Sequence, residues 1–518
     1  MVLITFSNEN NERGPHSQVI DFISYILIYQ DSKRMKLEQA AGIAKILQSF
    51  RFRKSVEIPW GDLSFLLDIQ ELDLLPRSHL KKHLQARGDS REGRRDELYK
   101  RLKDSIRAEV EEIKRVEEER ERKHKEIAAL EEQGAVYVIG SNSKGQLGLG
   151  DRAPRNKFTV IPSTRGLIFS SISTRNDVVY AVTEDCEVYR WGNIQSNHRH
   201  SDEYIRPQRF DSLDEEDISS IAVGLNHVCA LNQLSVYSWG TNQNGCLGND
   251  SFRDHIQKEP TLVSFNSHNL IKEIQVGEMH NCALDDGGIV HTWGYSANGR
   301  IGHGRGQNVS IPRELKLPVQ IKLIACGSEH TLAASEAKVF AWGSNDGGRL
   351  GLGDTKDRHV PSEIPFFDGL SIKHMSCGTW HNGVIASSPP MNKGGYLYTF
   401  GSGYKGQLGL EATTYTSDPK IVSFFLENQI QLKKIFCGSN HNAALSTEDD
   451  VYTWGSNIDG CLGREIEEKF VSFTPKPGLV RGFGSIVNRI GRGLPRSIAI
   501  GNNYTVVSTR KYQEILET

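Results

Sequence analysis

The stretch VFAWGSNDGGRLGLGD, residues 339–354, decides how this chain folds. A short apolar run meets an aromatic residue followed by glycine, then a turn punctuated by glycines. That order reads as a strand entering a tight turn. The same unit returns as VYVIGSNSKGQLGLGD from Val136, VYRWGN from Val188 and VYSWGTNQNGCLG from Val236. It continues as VHTWGYSANGRIGHG from Val290, LYTFGSGYKGQLGL from Leu397 and VYTWGSNIDGCLG from Val451. The landmark glycines are Gly140, Gly192, Gly240, Gly294, Gly343, Gly401 and Gly455, spaced 52, 48, 54, 49, 58 and 54 residues apart. A period near 50 suits one four-stranded propeller blade per copy.

A second half-unit alternates with the first: IAVGLNHVCAL (Ile221), IQVGEMHNCAL (Ile274), IACGSEHTLAA (Ile324), MSCGTWHNGVI (Met375) and IFCGSNHNAAL (Ile435). Two degenerate copies complete the set. ISTRNDVVYAV from Ile172 has Arg175 where glycine is expected, and IGRGLPRSIAI from Ile490 has Arg496 where histidine is expected. Seven copies of each half predict a ring. It would close by pairing residues near 490–500 with those near 136–165, which removes exposed sheet edges.

These residues resemble the regulator of chromosome condensation repeat family over about 135–508. The resemblance rests on the aromatic-Gly strand, the GQLGLG-type turn and the CGxxH element. It implies a mainly β fold, a seven-bladed propeller with offset closure. The expected organisation is a helical or partly disordered region at 1–55, a small helical module at 56–107, a charged helical linker at 108–133 and the propeller at 134–510.

The recurring His227, His280, His330, His381 and His441 hold one repeat position each. They should lie around a ring rather than converge on a metal, so a structural hydrogen bond within each blade is expected. The eight cysteines follow the repeat in the same way, Cys186 excepted, and read as small buried residues of a reducing compartment rather than disulfides. Trp191, Trp239, Trp293, Trp342 and Trp454 share the strand position and belong in the core; Trp380 stands outside it. A plant branch of the family senses ultraviolet light through clustered tryptophans in a GWRHT element. This chain has GTWHN there, so photoreception is not expected. The glycine strings lack a GK[ST] ending and a following helix, so they are turns rather than phosphate loops. No catalytic constellation, metal site or cofactor site is read from the sequence.

With 62 basic and 64 acidic residues the chain has no global field to attract a polyanion or membrane. No basic leader opens it, and the apolar run from Val19 to Tyr29 is too short to span a bilayer. Local charge is different. Between Arg77 and Arg107 stand eleven Lys or Arg against five Asp or Glu. The segment from Leu74 to Ile106 resembles a SAP module, a short helix–turn–helix of chromatin and RNA-processing proteins, with Leu80 and Leu84 beginning it and Leu98 and Leu102 near its end. Asp89 and Arg77 depart from that pattern. Lys81, Lys82, Arg87, Arg91, Arg94, Arg95 and Arg101 are the expected phosphate contacts, giving salt-dependent binding to DNA or RNA. The linker that follows pairs Glu111 with Arg115 and Glu118 with Arg122 at helical spacing, and reads as a solvated spacer.

Three functions are consistent with these features. The first is a non-enzymatic, monomeric nuclear scaffold, tethered to nucleic acid or chromatin, whose propeller binds a protein. The second, implied by the founding family member, is nucleotide exchange on a Ran-like GTPase, which uses a wedge in one blade and acidic residues in the GxxH loops. Glu278 and Glu329 occupy such loops, and no wedge is evident. The third is a cytoplasmic adaptor. Glu278, Glu329, Trp380 and, in the turn-less second copy, Arg199 and Arg206 are the candidate partner contacts.

Overall fold

The computed structural model describes residues 84, 90, 92–105, 108, 115–116, 118–119, 121–122 and 125. It further describes 134–195, 201–253, 255–267, 269–388, 394–466, 472–483 and 494–510. The chain divides into two compact units, Met1–His124 and Lys125–Thr518.

In the first unit, residues 95–105 are helical. Leu98 and Leu102, one turn apart, are fully buried, as is Leu84. Glu97 reaches back to accept a hydrogen bond from the Arg94 backbone N–H at 2.8 Å, satisfying an orphan donor at the helix start. The helices expected within 1–83, and with them most of the SAP-like segment, lie outside the described residues.

The second unit is a propeller of seven four-stranded antiparallel sheets. Six blades are made from consecutive strands. By their first and last strand residues they are blade 2 (Phe169–Arg209), blade 3 (Ser220–Val263), blade 4 (Ile271–Leu315), blade 5 (Leu323–Glu363), blade 6 (Ser371–Ile421) and blade 7 (Leu432–Leu479). Blade 1 joins both ends of the ring: Gly134–Gly140 and Arg155–Val160 are its outer strands, Leu494–Ile500 and Tyr504–Arg510 its inner ones. The direct seam runs from Gly134↔Arg510 to Gly140↔Tyr504. The partner of the first strand is therefore Tyr504–Arg510, and the expected 490–500 region supplies the next strand inward.

This register also corrects the last repeat. The element equivalent to GxxH is Gly501–Tyr504, because Ile498, Ile500, Val506 and Val507 carry the buried pattern. Tyr504, not Arg496, stands at the histidine position.

The aromatic-Gly landmark has a backbone cause. All seven glycines hold φ between 91° and 107°, each at a register irregularity between the third and fourth strands of its blade. A side chain there would strike the backbone just ahead of the histidine position, so glycine alone fits. The aromatic residue before it then packs between blades; Trp191, Trp293, Trp342 and Trp454 are fully buried.

Candidate functional site

The GxxH loops gather at one mouth of the channel. Neighbouring loops are tied by backbone bonds, Leu225 N–H to Glu278 O at 3.1 Å and Glu278 N–H to Ser328 O at 3.2 Å. Thr379 N–H likewise reaches Gly438 O at 3.3 Å. They form a collar on which Glu278, Glu329 and Trp380 all stand. Arg175 crosses the collar's opening. From blade 2 it donates to Val276 O of blade 4 at 3.3 Å and approaches Ser328 Oγ of blade 5 at 3.5 Å. Burial pulls its pKa down and the nearby Glu278 carboxylate opposes that.

The five histidines do not bond within their own blades, as expected from sequence, but across to the next one. His227 Nε2 meets Asn281 Oδ1 at 2.9 Å, His330 meets Asn382 at 2.7 Å, and His381 meets Asn442 at 2.6 Å. His280 and His441 meet the hydroxyls of Thr331 and Thr505, each at 3.0 Å. Each of these partners then donates back to a turn carbonyl of the histidine's blade. Asn281 bonds Cys246 O at 2.8 Å, Thr331 bonds Arg300 O at 3.0 Å, and Asn382 bonds Arg349 O at 2.6 Å. In blades 4 to 7 and in blade 1 the residue after the histidine position is thus a staple to the preceding blade, whereas in blade 3 that residue is Val228. Sequence reasoning missed it because the repeat shows equivalent positions, not which blade each one faces. Burial holds these imidazoles neutral: His227 and His381 are pulled down to about 4, and His330 and His441 to about 3. Among the described residues no cluster of three or more His, Cys, Asp or Glu is arranged to hold a metal.

Glu329 is already occupied. Its carboxylate lies 3.0 Å from Arg300 Nη2 and 4.0 Å from Arg349 Nη1. Both arginines come from the glycine turns of blades 4 and 5, where other copies have Gln or Cys, and both are buried. The Arg349 guanidinium lies 4.0 Å from the Trp380 ring centroid, within cation–π range. Trp380 is 40% exposed, and Tyr404 and Tyr415 of the same blade are 60% and 47% exposed. With Asp346, Gly347, Thr355 and Ser402 these aromatics line an open cleft of about 460 Å³.

The other candidates lie elsewhere. Arg206 is exposed on the outer strand of blade 2, where its guanidinium lies beside Gly150 of the first turn. Arg199, Lys81, Lys82, Arg87 and Arg91 lie outside the described residues. Arg94 and Arg95 are exposed, whereas Arg101 donates to the carbonyls of Ser90 at 2.7 Å and Glu92 at 3.1 Å and braces the turn before its own helix.

Seven four-stranded blades closed through the Gly134↔Arg510 seam and tied by a histidine relay define a seven-bladed repeat propeller. The chain belongs to the RCC1-like domain family, whose model matches residues 195–507. It is 33% identical over 257 residues to the ultraviolet-B receptor UVR8 of Arabidopsis thaliana, covering 48% of this chain and 56% of that protein. It is 29% identical over 379 residues to the mouse E3 ubiquitin-protein ligase HERC2, covering 70% of this chain but 8% of that protein. Among solved structures it resembles human WBSCR16, with TM-score 0.61 and 21% identity over 73% of this chain and 100% of that one. It also resembles Prp20p of Saccharomyces cerevisiae, described with its binding to Gsp1p and histones, at TM-score 0.61 and 21% identity over 74% and 93%. These structural likenesses establish the fold.

Proposed function

We propose that this protein is a non-enzymatic nuclear scaffold: the loop face of the propeller around Trp380 binds a protein partner, and the basic N-terminal segment holds DNA or RNA. The observation that carries the first half is Trp380, exposed on a buried guanidinium and flanked by two exposed tyrosines. Large aromatics on a rigid, charged base are the residues that dominate protein interfaces. The basic excess between Arg77 and Arg107, with Arg94 and Arg95 exposed, supports the second half. The test uses the full chain with fluorescent duplex DNA and single-stranded RNA at several salt concentrations, beside Arg94→Glu/Arg95→Glu. Steep salt dependence that collapses in the variant is expected; binding equal in both proteins would refute the tether.

A second reading is nucleotide exchange on a small GTPase. It draws support from blade 2, where no wedge was evident from sequence. Its strands Val188–Gln195 and Ser201–Arg209 stay paired past Gly192, out to Gln195↔Ser201, where other copies turn. The similarity to Prp20p, described as binding Gsp1p, points the same way. Against it, Glu329 is neutralised by two arginines. Release of a fluorescent guanine nucleotide from a Ran-like GTPase, with and without catalytic amounts of this chain, decides the matter.

A further inference from the structure

The junction between blades 2 and 3 lacks two things that the other six junctions have, a glycine turn and its buried apolar residue. In the copies with a GxLG-type turn, the glycine after the apolar residue lies against an aromatic ring of the next blade. Gly148 meets Trp191, Gly248 meets Trp293, Gly302 meets Trp342, Gly351 meets Phe400, Gly409 meets Trp454 and Gly463 meets Phe158. The turn's Leu or Ile is buried in all six: Leu147, Leu247, Ile301, Leu350, Leu408 and Leu462. Blade 2 has no such turn, so Trp239 of blade 3 receives none. The histidine position of blade 2 is Val178 and the staple position of blade 3 is Val228, so the histidine relay is missing here as it is between blades 1 and 2, where Tyr504 and Val179 hold those positions and Tyr504 bonds Thr174 instead. A cleft of about 690 Å³ remains.

We infer that this cleft is a docking slot for a leucine-bearing tight turn presented by a partner protein. The junctions are internally equivalent: one chain seats six such turns in six equivalent places and, among the described residues, leaves the seventh place without one. Its own strands cannot supply the turn, because blade 2 spends those residues in hairpin pairing out to Gln195↔Ser201. The slot retains the acceptor-seeking chemistry. At three junctions the tryptophan indole N–H donates to a turn carbonyl, Trp191 to Gln146 O at 3.0 Å, Trp293 to Cys246 O at 3.1 Å and Trp454 to Gln407 O at 3.0 Å, whereas Trp342 Nε1 has no such partner among the described residues. Trp239 makes only a longer bond, 3.3 Å, to the Tyr180 hydroxyl. Beside it Arg190 Nε is buried with no hydrogen-bond partner among the described residues. Phe210 stacks on Trp239 at 5.4 Å with the Arg190 guanidinium 4.5 Å from its ring centroid, so the floor is a packed aromatic pair, 5% and 4% exposed. A turn entering here would bring an apolar side chain to that floor and a backbone carbonyl to a waiting donor. The inference rests on the reading that the propeller has a protein partner and names the element by which that partner docks.

The probe is a backbone-cyclised, fluorescein-labelled peptide copying residues 142–151, NSKGQLGLGD, titrated into the full chain. Saturable binding is expected, at least tenfold weaker for the peptide with alanine in place of its first leucine. A chain whose residues 193–204 are replaced by its own 141–155 segment should fill the slot, melt at a higher temperature and no longer bind. Should that graft not fold, Ser212→Trp, at an exposed position lining the cleft, blocks the entrance instead and should abolish binding. Absence of saturable binding up to millimolar peptide, or unchanged binding to the blocked chain, overturns the slot. Trp380→Ala should bind the peptide like the parent, so failure of the slot and failure of the Trp380 face are read separately.

Discussion

His330 of blade 5 and Asn382 of blade 6 are joined across the blade boundary, Nε2 to Oδ1, at 2.7 Å. Asn382 also donates from Nδ2 to the Arg349 carbonyl, so one side chain satisfies two buried groups of the neighbouring blade.

Asn382→Ala should therefore cost about 2–3 kcal/mol, since it leaves a buried ring nitrogen and a carbonyl unpaired. Asn382→Thr should recover most of that, because Thr331 and Thr505 do the same work at their own junctions. Urea midpoints of the two variants check this.

The neutral histidine ring makes the propeller acid-sensitive. Each ring has a folded-state pKa below its unfolded value near 6.5. Its contribution to stability is complete above that value and is lost as pH falls toward the folded pKa of about 3–4. Each histidine adds a slope of about 1.4 kcal/mol per pH unit below 6. The melting temperature should fall steadily from pH 6.5 to 4, and more shallowly in His330→Gln.

The glycine of GxxH and its histidine form a pair. A Cβ at Gly327 would overlap the His330 imidazole. Gly327→Ala should destabilise by about 2 kcal/mol, in the range of core overpacking. Adding His330→Val should return part of it, since blade 2 already carries Arg175 and Val178 at these two positions. A thermal double-mutant cycle measures the coupling.

Trp380 separates binding from folding. Its stacking on Arg349 is worth about 1 kcal/mol at a partly exposed site. Trp380→Ala should cost the fold no more than that, while weakening the partner complex at least tenfold, as interface aromatics do. Equal affinity in the parent and variant would remove this face from the interface.

The repeat made the ring and its blade count readable, because each blade needs the same glycine at the same bulge. The histidines were readable as structural for the same reason. Their direction was not: a bond from His330 to Asn382 and one confined to blade 5 leave the same repeat pattern. The misplacement of the last copy on Arg496 has a similar origin. IGRGLPRSIAI satisfies the apolar spacing eight residues early, and only the pairing of Leu494–Ile500 with Tyr504–Arg510 resolves it. The Arg175 bridge and the paired arginines around Glu329 join residues from different copies, where a repeat is silent. Arg349 and Arg300 did carry a signal, as charged residues at a turn position that other copies fill with Gln or Cys.

The seam of blade 1 also sets a timetable. Gly134–Gly140 leaves the ribosome early and has no inner neighbour until Tyr504–Arg510 follows, after some 360 intervening residues. Throughout that interval six blades can stack as an open arc, with the inner edge of the Gly134–Gly140 and Arg155–Val160 hairpin exposed at its leading end. The final strand acts as a latch on the nascent chain, and any truncation before it leaves an arc instead of a ring.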